Sequence, residues 1–323
     1  MQKLKQGISI SRRKMLASAI IGAAALPSVL KADQPGKKYK SGLPLPIGIN
    51  CGTIRRFNIP LKDQVKLAAK YGYDAIEIWT PHINAYLESG GKIPEIRAIL
   101  ADNSIDPCNV IGFAKCMVDD SSLRAASIEE MKRDMENAAA LGAKYIAATM
   151  LGVEKFEPEK LPVFAQRYRG LIELGKSFGI TPLLELWGHR ALHNLHDAAA
   201  VAIASKSKSA DLLLDFYHLY RGGNSFDSLA LLNLSRMPVF HINDYPADPE
   251  RESLSDSDRL FPGDGICPFS KILPKIYAQG FRGVLSLEVF ENKAWKDYSP
   301  DDMLKIGYEK SRATIQSALE KVS

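Results

Sequence analysis

Eight short apolar runs, each followed by a helical pattern, constrain this chain more than any other feature. The runs are 47–52, 75–80, 106–111, 145–149, 181–187, 211–217, 239–244 and 284–290, rich in Ile, Val and Leu. Runs of this length without strict alternation suit strands buried on both faces, as in a parallel sheet. Between them, 61–71, 127–141, 164–178 and 303–321 carry apolar residues at helical spacing. Ser127 with Glu130 forms a candidate capping box, and Ser299-Pro300-Asp301-Asp302 is a helix start. Gly72, Gly142, Gly179 and Gly280 each follow a helical run closely, where a left-handed residue ends a helix. Pro274 leaves the start and straightness of the helix after Cys267 open.

Eight β/α units in about 280 residues match a (β/α)8 TIM barrel, which takes about 250. A doubly wound sheet is the runner-up, but no GxGxxG turn follows the first run, so a dinucleotide fold has no support. The expected organisation is a leader over 1–32, a linker over 33–44 and a single-domain α/β barrel over 45–323.

The leader follows from where the charge sits. The net charge is +5, and Lys3, Lys5, Arg12, Arg13 and Lys14 lie within the first thirty residues, which hold no acid. The rest is formally neutral, so composition supplies no basic surface for nucleic acid. Ser11-Arg12-Arg13-Lys14 precedes the apolar run 17–30, which is too short and too rich in Ala and Gly for a stable membrane span. This is the pattern of an export signal of the twin-arginine type, with a periplasmic destination expected. Cys51, Cys108, Cys116 and Cys267 show no CxxC spacing and read as buried thiols, although an oxidising compartment would allow Cys108 to pair with Cys116.

In a TIM barrel the chemistry lies at the C-terminal strand ends. There the last four runs carry Glu185, Asp215, His241 and Glu288 inside otherwise apolar sequence. One buried, unpartnered carboxylate is costly. Three carboxylates and an imidazole converging on one point suit a single divalent cation, with Mn²⁺ favoured and Mg²⁺, Co²⁺ or Zn²⁺ also accepted by this donor set. The polar stretch 245–265 reads as a long loop over the barrel mouth.

These residues resemble the xylose-isomerase-like TIM barrels, the sugar phosphate isomerase/epimerase group, over nearly all of 45–321. The resemblance rests on Glu185, Asp215-x-x-His218, His241 and Glu288. It implies that Glu185, Asp215, His241 and Glu288 hold one metal, that Glu185 and Glu288 move the proton, and that His218 contacts substrate. Epimerase members carry an arginine six residues after the strand-seven histidine. Here that residue is Ala247, with Arg251 and Arg259 in the long loop as substitutes. Arg259-Leu260-Phe261-Pro262-Gly263-Asp264-Gly265 is similar to the family's Pro-Gly-acid-Gly loop, with Asp264 either at the mouth or in a solvated turn. Further candidate substrate contacts are His189, Arg190, Asp244 and Trp187, the last as a sugar-stacking wall or a core aromatic. Trp79 and His82 are candidate mouth residues, and His193 and His196 read as structural.

The expected activity is metal-dependent isomerisation or epimerisation of a free sugar or keto-sugar through an enediolate. The alternative is a metal-dependent lyase or hydratase acting on a 3-keto-glycoside or inosose-type sugar. A nuclease-like relative would need metal-binding histidines on strands two and three, where none occur. A sugar-binding module would not need two opposed carboxylates. The expected partner is a small carbohydrate, and the sequence is compatible with a homo-oligomer.

Overall fold

Each apolar run becomes a strand, and each strand begins at the residue expected. The computed structural model describes residues 39–320. Its strands are β1 (Ile47–Asn50), β2 (Ala75–Trp79), β3 (Asp106–Ile111) and β4 (Tyr145–Ala148). They continue with β5 (Thr181–Glu185), β6 (Asp211–Asp215), β7 (Val239–Ile242) and β8 (Val284–Leu287). Neighbours pair in parallel in chain order, and β1 pairs with β8 through Ile47 opposite Leu285. The barrel is closed, which excludes the doubly wound sheet. The leader 1–32 and the first part of the linker lie outside the described residues. Ahead of β1, Ser41, Leu43 and Leu45 are already buried.

Most strands end up to three residues before their apolar run does. The missing residues have left the ladder to open the segments at the barrel mouth. Asn50 Oδ1 accepts from Gly52 N at 2.8 Å and starts a 3-10 turn. Asp215 Oδ1 accepts from His218 N at 2.8 Å and caps a short helix, α7 (Phe216–Arg221 in chain order below). These residues remain buried, so hydropathy alone does not mark the exit from the sheet.

The helices are α1 (Leu61–Lys70), α2 (Thr80–Glu88), α3 (Ile93–Asp102), α4 (Ser121–Leu141), α5 (Leu161–Lys176), α6 (Leu195–Ala204), α7 (Phe216–Arg221), α8 (Phe269–Ala278) and α9 (Pro300–Leu319). None of the described helices is long and apolar enough to cross a membrane. Helix α9 starts at the Ser299–Asp302 capping box, as the sequence indicates. Helix α4 differs. It starts six residues before Ser127, capped by Asp120, whose Oδ1 accepts from Leu123 N at 2.7 Å. Ser127 is buried in mid-helix and caps nothing. Pro274 lies inside α8, which starts at Phe269. All four cysteines are buried, free thiols.

Two apolar cores result. The larger lies between strands and helices. The smaller fills the barrel and contains Ala75, Leu183, Leu213, Val239 and Val284. The period of two along a strand then decides what lies one step higher. Two residues beyond these five come Glu77, Glu185, Asp215, His241 and Ser286, so an apolar layer carries a polar one. On β3 the register shifts opposite Ile76 and Glu77, and Asn109 pairs with Glu77. That irregularity brings an amide into the polar layer.

The corrected α4 cap is directly testable. Asp120→Ala should lower stability by about 1 kcal/mol. In urea unfolding the midpoint should fall with the slope unchanged.

Candidate active site

The polar layer and the residues just above it converge on His241. The imidazole is fully buried, and its two nitrogens face different surroundings. Nε2 lies 3.0 Å from Glu77 Oε1 and 3.2 Å from Oε2. Nδ1 is surrounded by Glu288 Oε2 at 3.2 Å, Asp215 Oδ2 at 3.6 Å and Glu185 Oε1 at 3.9 Å. None of these three is aligned to hydrogen-bond Nδ1, and Glu185 Oε2 also has no protein partner. Ligand atoms of Asp215, His241 and Glu288 lie within 4.8 Å of one another, with Glu185 at the edge of that group.

Arg259 is the second organising group. It reaches in from the loop after β7 and is 1% exposed, among the largest fully buried side chains described. Nη1 donates to Asp215 Oδ2 at 2.7 Å and to Glu288 Oε2 at 3.0 Å. Nη2 lies 3.0 Å from His218 Nε2 and 3.3 Å from Asp256 Oδ1. The guanidinium carbon is 4.6 Å from the Tyr217 ring centre and 4.8 Å from that of Phe290. Arg251, the other substitute for the arginine absent at Ala247, is exposed and pairs with Glu252. Arg259 is thus the arginine that arrives at the site.

Burial works against every charge in this layer, and the neighbours decide which survive. For Asp215, burial favours the neutral acid, but Arg259 together with His218 and His241 outweighs it and keeps the carboxyl far below its usual range. For Glu77, burial is likewise overcome, chiefly by His241, and the pKa is lowered. His241 is raised well above the usual histidine value because Glu288 and Glu77 outweigh its burial. Glu185 lacks such support. Burial, with Glu288 adding repulsion, pushes it up to about 8 against the pull of His241. Burial and Arg259 push His218 down to about 3. His218 is therefore a neutral imidazole whose Nε2 accepts from Arg259 and whose proton sits on Nδ1. That atom is buried without a protein partner.

The donor set fits a divalent cation. Glu77, Glu185, Asp215 and Glu288 are each 4% exposed or less, and Arg259 and His241 are the cations set among them. With every carboxyl ionised, the group falls two positive charges short even if His241 is protonated. Carboxylate oxygens and one imidazole nitrogen are ligands that Mn²⁺, Mg²⁺, Co²⁺ and Zn²⁺ accept. The unbonded Nδ1 of His241 and Oε2 of Glu185 are the atoms such an ion would satisfy.

The remaining candidates divide. Trp187 and His189 are half-buried beside His218, with ring centres 6.4 and 5.6 Å from it. Arg190 is exposed on the turn that follows. Asp244, expected as a substrate contact, has both carboxylate oxygens engaged with backbone: they accept from the N–H groups of Tyr245, Gly263, Gly265 and Cys267 at 2.8–3.0 Å. Asp264 lies in the solvated turn and pairs with Lys310. Trp79 is half-buried, and its Nε1 donates to Asn50 Oδ1 at 2.6 Å. His82 lies beside it, its ring centre 6.2 Å away. His193 holds local backbone through Arg190 O, and His196 is exposed beside Asp197.

Glu77, Asn243 and Asp256 belong to the site but were absent from the sequence-based set. Asn243 Nδ2 donates to Asp215 Oδ2 at 2.8 Å and to Glu288 O at 3.1 Å. The signal for Glu77 was present: an acid inside the apolar run Ala-Ile-Glu-Ile-Trp, the same feature that marks Glu185 and Glu288.

Residues 65–311 match the family model of the xylose isomerase-like TIM barrel. The chain belongs to this family. Within it, the chain is 25% identical over 269 residues to the inosose isomerase of Bacillus velezensis, covering 82% of this chain and 95% of that protein. It is 24% identical over 257 residues to the D-psicose 3-epimerase of Agrobacterium fabrum, covering 73% and 84%. A solved structure described as IOLI protein with a binding zinc atom superposes with a TM-score of 0.78 at 22% identity, covering 85% of this chain and 99% of that one. A structure of L-ribulose 3-epimerase superposes with a TM-score of 0.69 at 18% identity, covering 86% and 97%. These two likenesses establish a shared barrel fold.

Glu185 gives this family member a pH signature in the absence of metal. Because its folded value is raised, its contribution to stability is fully present below the usual 4.5 and is lost as pH rises through about 8. With chelator present, the melting temperature of the unaltered protein should fall across that window, and Glu185→Gln should flatten the fall. Parallel profiles for the two proteins would show that Glu185 is not the group responsible.

Proposed function

We propose that the chain is a divalent-metal-dependent isomerase or epimerase acting on an unphosphorylated keto-sugar or a cyclic polyol ketone of the inosose type. The observation that carries this reading is the unbonded Nδ1 of His241 among three buried carboxylates. The inosose isomerase and 3-epimerase names of the sequence relatives support the substrate class.

In this reading Glu185, Asp215, His241 and Glu288 hold the cation. When bound, it supplies Lewis-acid stabilisation of negative charge on the substrate's oxygens. Glu185, whose ionised form a bound cation would favour, is the base in this reading. It takes the proton from the carbon beside the carbonyl, and the electron pair of the C–H bond moves into an enediolate. For the return step Glu288 must start as the acid: its O–H proton goes to the carbon, which reforms the carbonyl and leaves Glu288 ionised and Glu185 protonated, and exchange with solvent resets the pair. His218 offers its Nδ1–H to a substrate hydroxyl, since Arg259 occupies its other nitrogen. Arg259 keeps Asp215 ionised whether or not substrate is present. The export pattern of residues 1–32 supports a periplasmic place of work and a substrate without phosphate. A lyase acting on a 3-keto-glycoside would share the first proton removal, but the sequence relatives described above lend it less support.

The test combines metal analysis with product analysis. Purified protein should carry or take up one divalent ion per chain and lose activity on chelation. With a ketose or inosose in D₂O, solvent deuterium should enter an intact carbon skeleton, as read by NMR. Glu288→Gln should lower the rate by about 10²–10⁴-fold. A fully active metal-free protein would defeat the metal-dependent reading, and release of water or an aglycone would replace isomerisation with elimination.

A further inference from the structure

We propose that Glu77 is the positioning residue of the site: reaching from β2, it holds Nε2 of His241 so that Nδ1 is presented, lone pair outward, to a cation among Glu185, Asp215 and Glu288. This rests on the metal-dependent reading above and assigns a role to a residue that reading leaves idle.

Asn50 Oδ1 accepts two hydrogen bonds, from Gly52 N at 2.8 Å and Trp79 Nε1 at 2.6 Å. Its amide cannot flip without losing both, so Nδ2 is the group that faces Glu77 Oε1, at 3.4 Å. Asn109 Nδ2 donates to Glu77 Oε2 at 2.8 Å. Glu77 is thus bracketed by two amide donors within a fully buried layer. A carboxylate takes part in such contacts only as an acceptor.

The nitrogen of His241 that lies 3.0 and 3.2 Å from these oxygens must therefore donate, and the proton belongs on Nε2. When an imidazole carries its single proton on Nε2, its lone pair is on Nδ1. Nδ1 is the atom that the three carboxylates surround and that no protein group hydrogen-bonds. A carboxylate behind a ligating histidine fixes its tautomer and ring orientation and raises its basicity. Glu77 stands in that place. It reaches His241 across the barrel interior, since β2 and β7 are not neighbours in the sheet.

Two measurements on the intact protein test this, with Zn²⁺ as a diamagnetic probe. The first is the long-range ¹H–¹⁵N spectrum of zinc-loaded protein with ¹⁵N-labelled histidine. The His241 ring should show a protonated Nε2 and a metal-bound Nδ1. The second is zinc affinity by chelator competition. Glu77→Gln keeps the shape but not the charge, and should weaken binding by about ten- to a hundred-fold. Its melting temperature in chelator should stay close to that of the unaltered protein. Zinc bound through Nε2, or equal affinity in the variant, would overturn the role of Glu77 and leave the metal-dependent reading standing. An unaltered protein that takes up no zinc would overturn both. Should Glu77→Gln fail to fold, the spectrum of the unaltered protein decides.

Discussion

The structure depends on how four buried carboxylates are tolerated in one cross-section of the barrel. Unpaired ionised groups in such an interior are expensive, and a carboxyl usually takes a proton instead. Here the outcome is graded by neighbours. Asp215 has Arg259, Asn243 and the N-terminus of α7, and stays charged. Glu77 has His241 and two amides. Glu185 has an unbonded oxygen and drifts toward neutrality. One layer therefore contains firmly held charges beside one carboxyl that burial pushes toward its neutral form.

That layer follows from strand arithmetic. A closed parallel barrel turns alternate side chains inward, and the inward residues of adjacent strands fall at similar heights. Ala75, Leu183, Leu213, Val239 and Val284 fill the lower level with hydrocarbon. Glu77, Glu185, Asp215 and His241 then follow two residues later on their strands, and Glu288 follows two residues above Ser286 on β8. The apolar floor excludes water from beneath the site, which strengthens every interaction above it.

Much of this was legible in the sequence because the same rule generates both. Strand starts follow from the onset of apolar runs, and Glu185, Asp215, His241 and Glu288 stand out as ionisable residues within them. Glu77 obeys that rule equally well. Its partner, however, is His241 on β7, a long-range contact that local pattern does not express. The cap of α4 failed for a different reason. Ser127 and Glu130 have the spacing of a capping box, but Asp120 begins the helix a turn and a half earlier and encloses them. Strand ends were overextended because the residues that follow Asn50 and Asp215, such as Cys51, Phe216 and Tyr217, stay buried after leaving the ladder.

Arg259 shows how a loop can supply a buried charge to carboxylates at the strand ends. Ala247, six residues after His241, offers no charge. The chain instead folds the stretch after β7 back over the barrel, pairing Leu260 with Asp244 in a short bridge. Both Asp244 oxygens then bind the turn that follows, through the N–H groups of Gly263, Gly265 and Cys267. At Gly265 an added Cβ would lie 2.2 Å from Tyr245 O and 2.4 Å from Asp244 Oδ1, so this close approach requires glycine. The Pro-Gly-acid-Gly pattern is therefore the sequence trace of a clamp. Its physical effect is to fix the backbone at Arg259 so that a long, flexible side chain need not be ordered anew each time the site is used. Held between Tyr217 and Phe290, the guanidinium can neutralise Asp215 and Glu288 from a loop with the constancy otherwise expected of a strand residue.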